Sequence, residues 1–227
     1  PNISHRDWIH YYAMMTAPVI CVPYDSKIKT IDDLVAEFKA RPGQVKVASA
    51  GVGAGGHMAA ETFRKATGIE YRHIPYKGGY PAVVSTVKGE TEVVMQLSME
   101  AADMLRAKKL RALANMSTQT LVIDGYGEVP PVMQFIPDHA PLQYLFGLYI
   151  PKDTPQDAVD AINKAFDAAA ASDSIKRLAK EKASAVVNYK GEEALKISET
   201  TGNNVNCIMQ EIGLAKKDPA AFGFICK

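Results

Sequence analysis

The sequence predicts an α/β fold built on a mainly parallel sheet with helices on both faces. Two observations predict it. Strand patterns alternate with helix patterns along most of the chain, and glycines or capping-box spacings mark where the helices begin and end.

The elements follow in order. Ala17-Pro18-Val19-Ile20-Cys21-Val22 is an apolar strand run. Thr30 and Asp33 have capping-box spacing ahead of Ile31, Leu34, Val35 and Phe38, and Pro42-Gly43 end that helix. A short strand pattern from Val45 runs through Gly51, Gly53, Gly55 and Gly56 into a helix that carries Met58 and Phe63 and stops at Gly68. Tyr71-Arg72-His73-Ile74 is the next strand. Pro81 marks the first position of a helix that stops at Gly89. Strand Glu92 to Met95, a helix through Ala101, Met104 and Leu105, and strand Leu110 to Ala114 continue the alternation. After a proline-rich stretch from Pro130 to Pro141, strand Leu145 to Ile150 precedes a long helix through Ile162 and Phe166. That helix is expected to start with Thr154 as cap, Pro155 at its first position and Asp157 completing the box. A helix through Ile175 and Leu178, a strand at Val186-Val187 and a final helix through Leu195, Val205 and Ile212 complete the chain.

Composition narrows the class. With 227 residues, 47% hydrophobic and 22% charged, the chain can bury one or two sizeable cores. A net charge of +1, with basic and acidic residues interspersed, gives no reason to expect nucleic acid. No segment has the apolar length of a membrane span, and no signal peptide is visible after Pro1. The three cysteines include Cys21 in an apolar run, read as a buried small hydrophobe. Cys207 and Cys226 either pair, tying down the C-terminal end, or stay as two free thiols. No Cys-x-x-Cys or histidine cluster suggests a metal, and no cofactor is implied.

The segment Ser49-Ala50-Gly51-Val52-Gly53-Ala54-Gly55-Gly56-His57 joins a strand to a helix. Glycines let backbone approach a ligand, and the free N–H groups of a helix start favour carboxylate or phosphate. Gly51, Gly53 and Gly56 satisfy G-x-G-x-x-G, but the next strand ends in Pro75-Tyr76-Lys77 without the acid that a dinucleotide ribose needs. The P-loop spacing is imitated too, with His57-Met58 where Lys and Ser/Thr belong. A tight turn chosen for packing is the plain alternative.

The second glycine segment, His73-Ile74-Pro75-Tyr76-Lys77-Gly78-Gly79-Tyr80-Pro81-Ala82, combines with the first into a pattern that resembles the solute-binding proteins of tripartite tricarboxylate transporters. The resemblance extends to Asp7-Trp8, to Lys109 through Ala114 and to Phe146 through Pro155, and so covers nearly the whole chain. This chain departs from the pattern at Gln96, where the family commonly carries Asp, at Tyr126 through Pro131, and at Leu145, where Trp is frequent. The family's opening strand and glycine loop have no counterpart here, so the chain reads as a fragment or trimmed product.

The resemblance implies a two-lobed, type 2-like periplasmic-binding-protein clamshell with doubly wound, mainly parallel sheets. Residues 1–24 and 147–227 would form a first lobe without its N-terminal strands, and 25–146 a second lobe carrying both glycine loops. Val19 to Val22 and Leu148 to Ile150 would be the crossings. It also implies a periplasmic, non-enzymatic protein that captures a small organic carboxylate and delivers it to integral membrane permease subunits, with the full-length form monomeric. The implied ligand-binding residues are Ser49, Ala50, Gly51, Gly53, Gly55, Gly56, His57, His73, Tyr76, Lys77, Gly78 and Gln96. Ser49 would offer its hydroxyl and the Gly51 to His57 amides would grip the carboxylate. His57 is read as packing or capping at the loop, His73 as structural, Tyr76 as pocket wall, and Lys77 as either an anion donor or a solvent-facing side chain. The rival class is a dinucleotide-dependent oxidoreductase with Lys77 in place of the ribose acid, although no catalytic dyad accompanies it. An interaction module without small-molecule function is the third reading.

Overall fold

The computed structural model describes residues 3–226; Pro1, Asn2 and Lys227 lie outside the described residues, as does the chain start on which the expectation of a trimmed front rests. In chain order the elements are β1 (Trp8–Thr16), β2 (Pro18–Pro23), α1 (Ile31–Ala40), β3 (Lys46–Ser49), α2 (Gly55–Thr67), β4 (Arg72–Pro75), α3 (Gly79–Val87), β5 (Val93–Leu97), α4 (Ser98–Arg106) and β6 (Leu110–Asn115). A hairpin of β7 (Leu121–Ile123) and β8 (Gly127–Val129) follows, then β9 (Tyr144–Pro151), α5 (Gln156–Ala171), α6 (Asp173–Glu181), β10 (Ala185–Lys190) and α7 (Gly191–Glu211).

Two compact units divide the chain: one runs up to Thr16 and resumes at Tyr144, and the other is Ala17–Gln143. The expected boundaries at 24/25 and 146/147 therefore shift. The chain passes between units at Thr16–Ala17 and Gln143–Tyr144, not within Val19 to Val22 or Leu148 to Ile150. Val19 to Val22 is apolar because it lies inside a sheet, paired on both sides and fully buried, while Leu148 to Ile150 belongs to β9 and pairs with β1.

In the second unit the strand order is β4-β3-β5-β2-β6. β3 runs parallel to β4 and β5, while β2 runs antiparallel to both β5 and β6. The sheet is thus parallel except for β2. Consecutive residues of a strand face opposite sides of its sheet, and Val47-Ala48 and Val93-Val94 are all fully buried, so both faces are covered. On α1, Ile31, Leu34 and Phe38 turn inward, and the capping box forms: Asp33 N–H donates to Thr30 Oγ1 at 3.0 Å and Thr30 N–H to Asp33 Oδ2 at 3.0 Å. Gly68 ends α2 in the left-handed conformation, with φ 68°.

The first unit has the order β10-β1-β9, antiparallel at both ladders, which corrects the mainly parallel expectation there. The reason is β1, which the sequence reading did not recognise as a strand. It inserts between β9 and β10 and runs against both. Tyr11 and Tyr12 of β1 are buried; the Tyr11 ring meets Phe166 of α5 edge-on at 5.2 Å and its hydroxyl donates to Asn163 Oδ1 at 2.9 Å. Gly147 is required on β9 because a Cβ there would overlap the Tyr11 carbonyl. β9 forms one edge of this sheet, with Phe146, Leu148 and Tyr149 exposed.

Two helix starts differ from expectation. α5 begins at Gln156 with Pro155 as its cap residue, and Thr154 Oγ1 donates to the Pro151 carbonyl at 2.7 Å instead of accepting from the helix. α3 begins at Gly79, which places Pro81 at its third position, where the missing N–H is equally harmless.

Cys207 and Cys226 are disulfide-bonded, with Cα atoms 5.2 Å apart, and Cys21 is a buried free thiol. The bridge closes a sequence separation of 19 residues. Loop-closure entropy puts its worth at about 3 kcal/mol. The double variant Cys207→Ser, Cys226→Ser should lower the thermal midpoint by several degrees, measured by calorimetry; an unchanged midpoint would show that the last helix needs no tether.

Candidate functional site

β3, β4 and β5 are mutually parallel, so the helices that follow them, α2, α3 and α4, all start at one edge of the sheet. None of the three starts has a side-chain cap: the cap residues are Ala54, Gly78 and Leu97. This contrasts with α1 in the same unit and its full capping box. Helix starts leave N–H groups without intrahelical acceptors. Here the N–H groups of Val52, Gly56 and His57 beside α2, and of Gly79 and Tyr80 on α3, have no acceptor among the described residues.

Other amides of the glycine loop are spent on shaping it. Ala50 N–H donates to Gln96 Oε1 at 3.2 Å, Gly51 N–H lies 3.4 Å from Ser49 Oγ, and Gly53 N–H donates to His57 Nδ1 at 3.1 Å. Ala54 N–H reaches the Gly51 carbonyl at 3.2 Å. Gly51 and Gly53 take φ of 142° and 76°, backbone that a side chain disfavours. Gly56 is glycine for a different reason: a Cβ there would overlap the Met95 carbonyl and Gln96 Oε1 on β5.

The second loop is stitched to the first. Tyr76 N–H donates to the Ser49 carbonyl at 2.8 Å and Gly78 N–H to the Ala50 carbonyl at 3.2 Å. The two loops therefore form one patch.

Several expected site residues turn inward. Ser49 is fully buried, and its hydroxyl bonds to His73 Nε2 at 2.7 Å and to the Gly51 carbonyl at 3.2 Å, so it holds the loop and is not offered outward. His57 is buried and stacks on His73, with ring centroids 4.0 Å apart. Tyr76 is half-buried with its hydroxyl 3.4 Å from Glu90 Oε2, and Lys77 is exposed. Gln96, 2% exposed, lies beneath both loops.

Sequence reasoning missed two carboxylates. Glu61, one turn beyond His57 on α2, accepts from Tyr71 Oη at 2.6 Å and Arg64 Nε at 2.8 Å, and stands 3.8 Å from His57 Nε2. Glu100, one turn beyond Gln96 on α4, accepts from Gln96 Nε2 and packs on Gly79, where a Cβ would overlap its carboxylate. Glu61 stands four residues after His57 on the same helix, a spacing that brings side chains together, whereas Gln96 lies near the end of β5 and meets Glu100 across the β5–α4 junction. Ser49 and His73 make a hydroxyl–imidazole pair, but Ser49 is fully buried and Glu61 is taken up by Tyr71 and Arg64, so the pair braces the loop; no group of three or more His, Cys, Asp or Glu able to hold a metal occurs among the described residues.

A family model described as "Tripartite tricarboxylate transporter family receptor" matches residues 1–214. A protein from the tcbD-tcbE intergenic region of Pseudomonas sp. strain P51 is 30% identical over 72% of this chain and 48% of its own length. Protein BugT of Bordetella pertussis is 37% identical over 40% of this chain and 28% of its own. The chain thus spans about half or less of these two relatives. Among solved structures, a periplasmic transporter has TM-score 0.74 at 25% identity, covering 91% of this chain and 68% of its own. An adipate-bound protein of R. palustris has TM-score 0.74 at 20% identity over 92% and 70%, and malate-bound MatC of Rhodopseudomonas palustris 0.73 at 15% over 88% and 67%. These last two likenesses establish the shared fold.

Burial, and then repulsion from His57, push the His73 pKa down to about 4 from 6.5, and burial lowers that of His57 against the pull of Glu61. A histidine kept neutral in the fold costs no stability above the unfolded value near 6.5. Below it the unfolded chain binds the proton first, so stability declines as pH falls from 6.5 towards about 4. With its partial exposure discounted, His73 should account for about 1–2 kcal/mol of that decline. Urea unfolding at pH 7 and pH 4.5 should show it, and His73→Gln should reduce the difference; an equal acid loss in the variant would assign it elsewhere.

Proposed function

Because the chain belongs to the tripartite tricarboxylate transporter receptor family, which comprises binding proteins and not enzymes, we propose that it captures a small organic carboxylate in the periplasm and passes it to membrane permease subunits. The observation that carries the ligand class is the convergence of uncapped helix starts at one sheet edge, with unspent N–H groups on two of them. A carboxylate there meets donors with no acceptor among the described residues and the positive ends of helix dipoles, without any need for Arg or Lys. Hydrogen bonds to a charged group contribute about 1.5–3 kcal/mol each, so three of them approach what micromolar binding requires.

In this reading the N–H groups of Val52, Gly56 and His57 meet the anion, Gly51 and Gly53 shape the loop that presents them, and Tyr76, Lys77 and Gly78 form the adjoining wall with Gln96 as the floor. Ser49, Ala50 and His73 hold the loop in shape. The malate and adipate held by two proteins of the same fold agree with this ligand class. Among the described residues no helix is long and apolar enough to cross a membrane, in keeping with a receptor that meets its permease from outside the bilayer. The full natural chain is expected to be monomeric. The dinucleotide-oxidoreductase alternative falls with the family assignment.

Isothermal titration of the full natural chain against mono-, di- and tricarboxylates should find at least one saturable ligand; none would sink the proposal. Gly53→Val should weaken that ligand by at least about tenfold while retaining a native circular dichroism spectrum, since the strain of a side chain at positive φ costs only about 1–3 kcal/mol. Gly56→Val should instead lower the melting temperature sharply, because its side chain would have to displace β5.

A further inference from the structure

Both ends of the Gln96 carboxamide are committed. Its oxygen takes the Ala50 N–H, and its nitrogen donates to Glu100 Oε2. Only this orientation satisfies the chemistry, because a backbone N–H needs an acceptor and a carboxylate needs a donor. The Glu100 carboxyl in turn lies on the Cα of Gly79, the first residue of α3, and Gly78 N–H returns to the Ala50 carbonyl. The contacts close a ring: Ala50, Gln96, Glu100, Gly79, Gly78 and back to Ala50. Glu100 is therefore a built-in part of the patch formed by the two glycine loops.

The chemistry of that ring is unbalanced. Glu100 is half-buried, no cation among the described residues pairs with it, and its Oε1 has no donor among them. It also sits where the α3 start would otherwise attract a second anion. A ligand carboxylate is thus directed to the α2 side, and a second carboxylate placed near α3 would meet like charge.

We propose that Glu100 sets ligand specificity: the solute is a carboxylate that also carries a hydrogen-bond donor, an ammonium in preference to a hydroxyl, which bonds Glu100 Oε1. This rests on the carboxylate-binding reading above and narrows it. The ammonium is preferred because it supplies the charge that the protein withholds from Glu100, and charge-assisted bonds are the stronger ones.

The test is calorimetry on the full natural chain with three matched series: propionate, lactate and alanine; succinate, malate and aspartate; adipate and 2-aminoadipate. Each series varies the donor on a common carbon skeleton. The donor-bearing member of the bound series should bind at least about tenfold tighter than its plain counterpart. Glu100→Gln keeps the shape and the contact to Gln96 but removes the charge. It should leave the melting temperature of the free protein within a few degrees and shrink the donor preference below about threefold, most of all for the ammonium. A residue that merely braced the loop would weaken every ligand alike. Equal affinity for the plain and donor-bearing members, or a preference that survives Glu100→Gln, overturns the assignment of Glu100 while leaving carboxylate capture standing. No binding by any member overturns the assignment of Glu100, and if the tricarboxylates also fail to bind it overturns both.

Discussion

The close approach of Gly56 to β5 is the constraint on which the candidate site depends. With no side chain between them, the first turn of α2 rests directly on the Met95 carbonyl and the Gln96 side chain. That contact fixes where the glycine loop must pass, brings Ala50 N–H to Gln96, and through Gln96 couples the loop to α4. Polar groups buried here are costly unless satisfied, and Gln96 is satisfied at both ends. The loop is consequently held by β5 beneath it, and the N–H groups of Val52, Gly56 and His57 are left without an acceptor among the described residues.

The histidines complete the mould from the other side. Gly53 N–H needs an acceptor, and only an unprotonated His57 Nδ1 can serve. His73 stacks on His57 and grips Ser49. The loop's shape is thus tied to the neutral state of two rings, and burial, which disfavours charge, keeps them neutral.

Much of this was legible in the sequence where the signal is local. Glycines at 51, 53, 56, 78 and 79 announce backbone that approaches something closely, and Thr30 with Asp33 announces a helix start. What escaped depends on partners distant in sequence. Trp8 to Thr16 shows neither simple alternation nor flanking turn residues, because Tyr11 and Tyr12, adjacent and on opposite faces, are both buried. Its strand character comes from β9 and β10, more than 120 residues away in sequence. Glu61 is the exception, a neighbour of His57 by helix spacing alone that could have been found in the sequence, whereas Glu100 looks like an ordinary acidic position and only the packing of α3 beside α4 makes it a neighbour of Gly79. Thr154 was misread because the helix starts one residue later than expected, with Pro155 outside the helical conformation as the cap residue, and the Thr154 hydroxyl donates to Pro151 instead.

The connection at Thr16 and Tyr144 bears on how the chain acquires its structure. These two residues are cross-strand partners at the end of the β1–β9 ladder, so everything from Ala17 to Gln143 is an excursion that leaves and returns at neighbouring points. Bringing β1 to β9 through an unfolded loop of that length would carry a large entropic charge. Once the excursion has folded, its two ends are already held together and the effective loop is short. Assembly should therefore be sequential, with the inserted unit forming first from its nearby strand–helix–strand contacts and β1 waiting, unpaired, until β9 emerges and β10 after it. A newly made chain would carry its buried tyrosines exposed for the whole of that interval.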